Sequence, residues 1–120
     1  MDIRLIEDAG GKIMVVSSDE PVLKDAQTSL DTIVWLYYEY GAQKVLINKS
    51  GVAEDFFKLS SGLAGEIAQK FVTYHFKLAI VGDFSHYTSE PLKAYMYESN
   101  RGRHLYFAAT EEEALQWLKR

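Results

Sequence analysis

Leu78-Ala79-Ile80-Val81-Gly82-Asp83 is the clearest strand signal in the chain, with four apolar residues in a row before a glycine and an acid. An uninterrupted apolar run of this length is typical of a strand that is covered on both faces, as in a mostly parallel sheet. Ile13-Met14-Val15-Val16 and Val45-Leu46-Ile47 have the same character. The sequence therefore predicts an α/β protein in which these runs are strands of one sheet.

Two further strands are predicted near the ends of the chain. Ile3 to Asp8 precedes Lys12 to Ser17, and the glycines of Ala9-Gly10-Gly11 between them can supply the positive φ angles of a tight turn. We therefore expect an opening hairpin, whose first strand must run antiparallel to the second. Leu105 to Ala109 is the last predicted strand.

Helical signals separate the strands. The first helix is predicted to start at Ser18-Asp19-Glu20-Pro21, with Asp19 as its cap, and to end at Gly41. Its predicted buried stripe has helical spacing and consists of Val22, Ala26, Leu30, Ile33, Val34 and Tyr37.

Three more helices follow the same logic. A short helical turn at Glu54–Phe57 leads to a helix from about Ser61 to Tyr74. Thr88 or Ser89 is expected to cap the next helix, and Thr110 with Glu113 forms a capping box for the last one. The predicted order is β-β-α-β-α-β-α-β-α, which indicates a mixed, mostly parallel five-stranded sheet with right-handed crossovers.

The composition is that of an ordinary globular chain. Its 120 residues, 48% apolar and 25% charged, suffice for one core and one domain over residues 1–120. Cysteine is absent, which excludes disulfides, thiolate zinc sites and cysteine nucleophiles. A formal net charge of −4 and a pI of about 5.3 disfavour nucleic acid or an anionic membrane as partners. The chain begins with strand-like residues and no signal-peptide pattern, so we expect a cytoplasmic protein.

Part of the chain resembles the anti-sigma-factor-antagonist (STAS) fold. Val45–Asn48 is similar to the strand before the STAS phosphorylation loop, and Lys58–Leu63 is similar to the loop itself. The resemblance implies a single-layer STAS-like domain with a regulatory role and a phosphorylated serine at Ser60 or Ser61. Leu59 stands where the STAS motif has an aspartate, so this chain departs from the pattern beside the modified position.

A second resemblance covers nearly the whole chain. It rests on Asn48-Lys49, Glu54–Phe57, Leu63–Glu66, Gln69–Phe71, Val81–Ser85 and Tyr97–Asn100. These segments look like the small bacterial family catalogued as domain of unknown function 4180. The family has no assigned activity, so it implies a compact bacterial domain and supplies no catalytic residues.

Polar side chains follow two of the predicted strands at their carboxyl ends, where ligands gather in open α/β sheets. In chain order they are Asn48, Lys49 and Ser50, then Asp83, Ser85 and His86. One interpretation is a small anionic-ligand site in which Lys49 holds the anion and Asp83 and His86 move protons. The other is that these residues cap helices and brace loops. The three histidines lack ligand spacing, so no metal is predicted, and no motif indicates a cofactor.

Aromatic residues are the other anomaly, because the chain has eight tyrosines. Trp35, Tyr38 and Tyr97 lie off the predicted inner faces of their helices. Exposed rings are typical of interfaces, although a partly covered edge of the core gives the same pattern. The sequence favours a non-enzymatic regulatory or protein-interaction domain that binds a protein partner or self-associates. The alternative is a small anionic-metabolite binder or minor enzyme at the strand ends.

Overall fold

The sheet has five strands whose bounds follow the apolar runs of the sequence. In the computed structural model, which describes residues 1–120, they are β1 (Asp2–Asp8), β2 (Gly11–Ser17), β3 (Lys44–Asn48), β4 (Lys77–Val81) and β5 (Leu105–Ala108). The strands lie side by side in chain order. β1 is antiparallel to β2, and every other pair is parallel. The predicted α/β fold and the mixed sheet with an antiparallel first strand are confirmed.

Four helices cover the two faces of this sheet unequally. They are α1 (Ala26–Tyr40), α2 (Leu63–Thr73), α3 (Glu90–Asn100) and α4 (Glu111–Leu118), with three short 3-10 turns between β3 and α2. Right-handed crossovers between strands in sequential order place α1, α2 and α3 on one face, where they share the larger core. α4 follows the last strand and packs on the other face. None of the helices is both long enough and apolar enough to cross a membrane.

The start of α1 differs from the prediction. The helix begins at Ala26 rather than near Pro21, and its cap is Asp25 rather than Asp19. Asp25 accepts a hydrogen bond from the Thr28 N–H at 2.8 Å, and the Thr28 hydroxyl accepts from the Asp25 N–H at 3.1 Å. The preceding residues are not helical, because buried Leu23 forms a parallel bridge with Val52. This long-range pairing outweighs the local start signal.

The buried stripe of α1 also differs from the prediction. Its fully buried residues are Ser29, Ile33 and Leu36, while Val34 and Tyr37 are 42% and 47% exposed. Val34 and Tyr37 each follow a buried residue, so they lie about 100° round the helix from the buried line. Two large apolar side chains assigned to the core by the sequence are therefore on the surface.

Three other helix ends follow their capping signals, whereas α2 begins at Leu63 after Gly62, with no side-chain cap. Gly41 ends α1 in the left-handed conformation, with a φ of 68°. The Ser89 hydroxyl accepts from the Leu92 N–H at 3.3 Å, and the Thr110 hydroxyl accepts from the Glu113 N–H at 3.2 Å. These caps confirm the predicted starts of α3 and α4.

Candidate functional site

The polar residues after β3 and β4 lie at the same edge of the sheet because the two strands are parallel. We call this edge the rim and define it by Asn48, Lys49, Ser50, Asp83, Ser85 and His86. The six residues have different contacts.

The Asn48 side chain makes two hydrogen bonds to the backbone of Ser18. Its amide nitrogen donates to the Ser18 carbonyl at 2.8 Å, and its amide oxygen accepts from the Ser18 N–H at 2.9 Å. This two-bond clamp ties the end of β3 to the chain leaving β2. Ser50 is exposed in the following 3-10 turn, Lys49–Gly51. The Asn48 amide is thus occupied by the protein itself.

Lys49 lies at the centre of a network of contacts with Glu54, Phe57 and Tyr87. Its ammonium lies 3.3 Å from a Glu54 carboxylate oxygen and 5.1 Å from the ring centres of both Phe57 and Tyr87. The Tyr87 hydroxyl donates to the other Glu54 oxygen at 2.7 Å. The base of the lysine side chain lies over Gly82, where an added Cβ would be 2.7 Å from the Lys49 Cβ. The lysine cation is therefore already paired with a carboxylate and two aromatic faces.

The pKa directions agree with this pairing. Burial alone would lower the pKa of Lys49, but the Tyr87 hydroxyl and the Glu54 carboxylate outweigh it and raise that pKa. Burial would likewise raise the pKa of Glu54, yet the hydrogen bonds from Tyr87 and Lys49 lower it. The network holds Lys49 protonated and Glu54 ionised, which leaves neither group free to act as an acid or a base near neutral pH.

Asp83 and Ser85 form a local turn. The Ser85 N–H and hydroxyl both donate to one Asp83 oxygen, at 2.9 and 2.6 Å. These bonds lower the pKa of Asp83. The His86 ring lies against that of Tyr87, with ring centres 4.1 Å apart and planes tilted by 35°. The serine hydroxyl is thus directed to the aspartate, not to the histidine, which is not the arrangement of a nucleophile beside its base.

A shallow concavity of about 470 Å³ lies beside the rim. Asp83, Ser85 and Glu113 are its polar side chains, and no lysine or arginine lines it. Two carboxylates without a cation disfavour an anion there. No group of three His, Asp or Glu side chains in the protein is close enough together to hold a metal ion.

The two candidate phosphorylation sites lie in the 3-10 turn Leu59–Ser61 before α2. The Ser61 hydroxyl donates to the Asp55 carbonyl at 2.7 Å and accepts from the Leu63 N–H at 3.2 Å. Ser60 is exposed. Ser61 is exposed as well, but its hydroxyl makes these two hydrogen bonds, and phosphorylation of either serine stays a prediction.

Three exposed tyrosines and an exposed valine cluster at the opposite edge of the sheet. Val34, Tyr37 and Tyr38 of α1 and Tyr74 at the end of α2 line a concavity of about 310 Å³, and we call these four residues the aromatic surface. All four are at least 42% exposed, and Tyr38 reaches 79%. His75, which also lines the concavity, has a φ of 59°, so the chain turns sharply there.

The three aromatic residues predicted for an interface are placed differently. Tyr38 belongs to the aromatic surface, and Trp35 lies beside it on α1 with its ring against Tyr40 at 5.8 Å. Tyr97 is 63% exposed on α3, where Arg101 lies over its ring, and it does not line the concavity. The sequence reasoning missed Val34, Tyr37 and Tyr74. Tyr37 lies close to two other tyrosines just before Gly41, and this density was the signal in the sequence that could have indicated an exposed Tyr37.

Comparison with protein families matches residues 8–118 to one family, described as Domain of unknown function (DUF4180). No curated protein and no solved structure matches the chain. The matched residues include β2 to β5 and all four helices, but only the last residue of β1. The chain therefore belongs to the DUF4180 family.

Proposed function

We propose that the protein is a non-enzymatic interaction module, STAS-like and regulatory in character, that works in the bacterial cytoplasm. It binds a protein partner through the aromatic surface. The observation that carries this proposal is the exposure of Val34, Tyr37, Tyr38 and Tyr74 around one concavity. Contiguous exposed apolar side chains are uncommon on monomeric proteins and are typical of interaction sites.

Tyrosine suits this role for physical reasons. Its ring buries a large area, while only two side-chain torsions have to be fixed on binding. Tyr37 and Tyr38 already hold each other edge to face, with ring centres 5.4 Å apart. A partner side chain that enters the concavity would contact rings carried by two packed helices, α1 and α2. Such an arrangement lowers the ordering cost of binding.

The proposal is tested by native mass spectrometry of the protein purified from cells that make it naturally. We expect a complex in which a partner adds mass to the 13.7 kDa chain. Tyr38→Ala combined with Tyr74→Ala should weaken that complex by about tenfold or more, because these residues have the character of interface hot spots.

Tyr97→Ala is the control, because it removes a tyrosine outside the concavity whose exposure, 63%, lies between those of Tyr38 and Tyr74. It should leave the complex intact. A complex that survives the double substitution, or that is lost with Tyr97→Ala alone, would contradict the proposed surface.

The second candidate is a small anionic-metabolite binder or minor enzyme at the rim. Lys49 would have to bind the anion, and it is paired with Glu54 at 3.3 Å. An anion must therefore displace the Glu54 carboxylate or accept a position beside it. The structural contacts favour the interaction module, and the rim remains the alternative location for a ligand.

A further inference from the structure

The two outer strands of the sheet, β1 and β5, differ in how their free backbone groups are paired. On β5 the Phe107 N–H donates to the Asn100 side-chain oxygen at 2.7 Å, and the Phe107 carbonyl accepts from the Asn100 amide nitrogen at 3.1 Å. The Asn100 amide therefore makes the pair of bonds that a further strand would make. β5 is also only four residues long. The protein closes this side of the sheet with its own side chain.

The outer side of β1 is open by comparison. The strand has seven residues, Asp2–Asp8, and its pairing with β2 continues through all of them without a bulge. Every hydrogen bond of its backbone is made with β2. Because alternate residues of an antiparallel strand bond to each neighbour, half of the N–H and carbonyl groups of β1 point outward without a protein partner. Five of the seven residues are exposed, and the strand contains neither proline nor lysine, which commonly block pairing at such a position.

Contacts within the chain show which side chains of β1 share a face. Arg4 lies 2.8 Å from Glu111 and Asp8 lies 4.0 Å from Lys119, at the two ends of α4. Ile6 packs against the smaller core, which contains α4 residues. Arg4, Ile6 and Asp8 are therefore on the α4 face of the sheet, and the residues between them are on the other face.

A second copy of the chain can pair with this strand about a two-fold axis perpendicular to the sheet. Such an axis runs the two copies of β1 antiparallel and keeps each face of the sheet on its own side. Residues opposite each other must then belong to the same face, so one residue of β1 faces its own copy at the axis. Three registers pair at least five residues of the strand, and they are centred on Arg4, Leu5 or Ile6.

The charges of β1 distinguish these three registers. Centring on Arg4 places two guanidinium groups opposite each other, and centring on Leu5 places Asp2 opposite Asp8 at both ends. Centring on Ile6 places Ile6 against Ile6 and Arg4 opposite Asp8 on both sides of the axis. Opposite charges in facing positions stabilise paired strands, whereas like charges destabilise them. The strand is therefore complementary to itself in one register.

We propose that the protein forms a two-fold dimer in which the β1 strands of two copies pair antiparallel about Ile6 and join the two sheets into one. The match of Arg4 to Asp8 within a single strand favours a second copy over an unrelated strand. Because Asn100 closes the side of β5, the pairing stops at two copies. No residue of β1 lines the concavity of the aromatic surface, so this inference does not rest on the proposed function.

Sedimentation and single-cysteine cross-linking of the full chain test the dimer and its register. We expect a species of twice 13.7 kDa and none larger. The chain has no cysteine of its own, so a single introduced thiol reports on one position. Ile6→Cys should form a disulfide-linked dimer at least about tenfold faster than Leu5→Cys, because only the Ile6 positions face each other directly. Tyr97→Cys, at an exposed position on α3, gives the rate of random collisions.

Exchanging the charges tests the same register independently. Arg4→Glu and Asp8→Lys each place like charges opposite one another, and each should weaken its own dimer about tenfold. Mixing the two variants restores both opposite-charge pairs, so a mixed dimer as tight as the original is expected. A defect in folding would not be repaired by mixing.

Several results would overturn the proposal. One is a protein that stays monomeric at every concentration, and another is an Ile6→Cys protein that cross-links no faster than Tyr97→Cys. Fastest cross-linking at Leu5→Cys or Arg4→Cys would contradict the register. A dimer that is dissociated by Tyr38→Ala plus Tyr74→Ala, but not by Arg4→Glu, would assign the second copy to the aromatic surface instead of β1.

Discussion

Phe57→Ala is expected to lower the free energy of unfolding by about 3–5 kcal/mol, the usual cost of removing a buried phenylalanine. Phe57 is 3% exposed and lies where the rim meets the larger core. Its ring centre lies within 6.5 Å of four others, those of Phe56, Phe84, Tyr87 and Phe107. The substitution would also remove one of the two ring faces under Lys49.

Urea unfolding of the purified variant measures this effect. For a chain of this length the same loss corresponds to a decrease of about 12–20 °C in the thermal midpoint. Val72→Ala is the control, because Val72 is 39% exposed and its truncation should cost less than about 1 kcal/mol. If Phe57→Ala costs no more than Val72→Ala, the aromatic cluster does not support the rim as described.

Asn48→Ala is expected to cost about 2–3 kcal/mol, because it leaves the N–H and carbonyl of Ser18 without partners in a part-buried position. Asn48→Asp should be nearly as costly. The carboxylate can still accept from the Ser18 N–H, but it cannot donate to the carbonyl and repels it.

Denaturant midpoints of the Asn48 variants, compared with Ser50→Ala, check this prediction. Ser50 is exposed at the same edge and should change stability by less than about 0.5 kcal/mol. An Asn48→Ala protein as stable as the unmodified chain would show that the side chain is not a clamp, and would return it to the group of candidate ligand-binding residues.

Most of the fold could be predicted from the sequence because its signals are local. The apolar runs, the glycines of the first turn and the capping residues Ser89 and Thr110 all act within a few residues of their own position. The start of α1 could not, because it depends on Leu23 pairing with Val52, twenty-nine residues away. Helical spacing also predicted that Val34 and Tyr37 are buried. Spacing alone does not show which residues beside the buried line of a helix are covered by neighbouring elements.

The candidate sites were predictable only in part. Parallel strands bring their carboxyl ends together, so the meeting of Lys49 with the loop after β4 follows from the topology. That Glu54 and Tyr87 would close a network around Lys49 depends on loop conformation, which the residues alone do not specify.

The two edges of the sheet therefore differ in whether their side chains have partners within the chain. At the rim, Asn48, Lys49 and Asp83 all have internal partners. At the opposite edge, Tyr37, Tyr38 and Tyr74 remain 44–79% exposed. β3 and β4 have five residues each, so the two edges are about 15 Å apart along the strands, and a bound ligand can be assigned to one of them.

The most direct test of the account is to map the amide chemical shifts of the labelled protein as a partner that co-purifies with it is added. We predict that the largest changes fall on Tyr37, Tyr38, Gln43, Tyr74 and His75, and that those of the rim remain small. Changes centred on Asn48, Lys49 and Asp83, with the aromatic surface unaffected, would contradict the account and favour a ligand site at the rim.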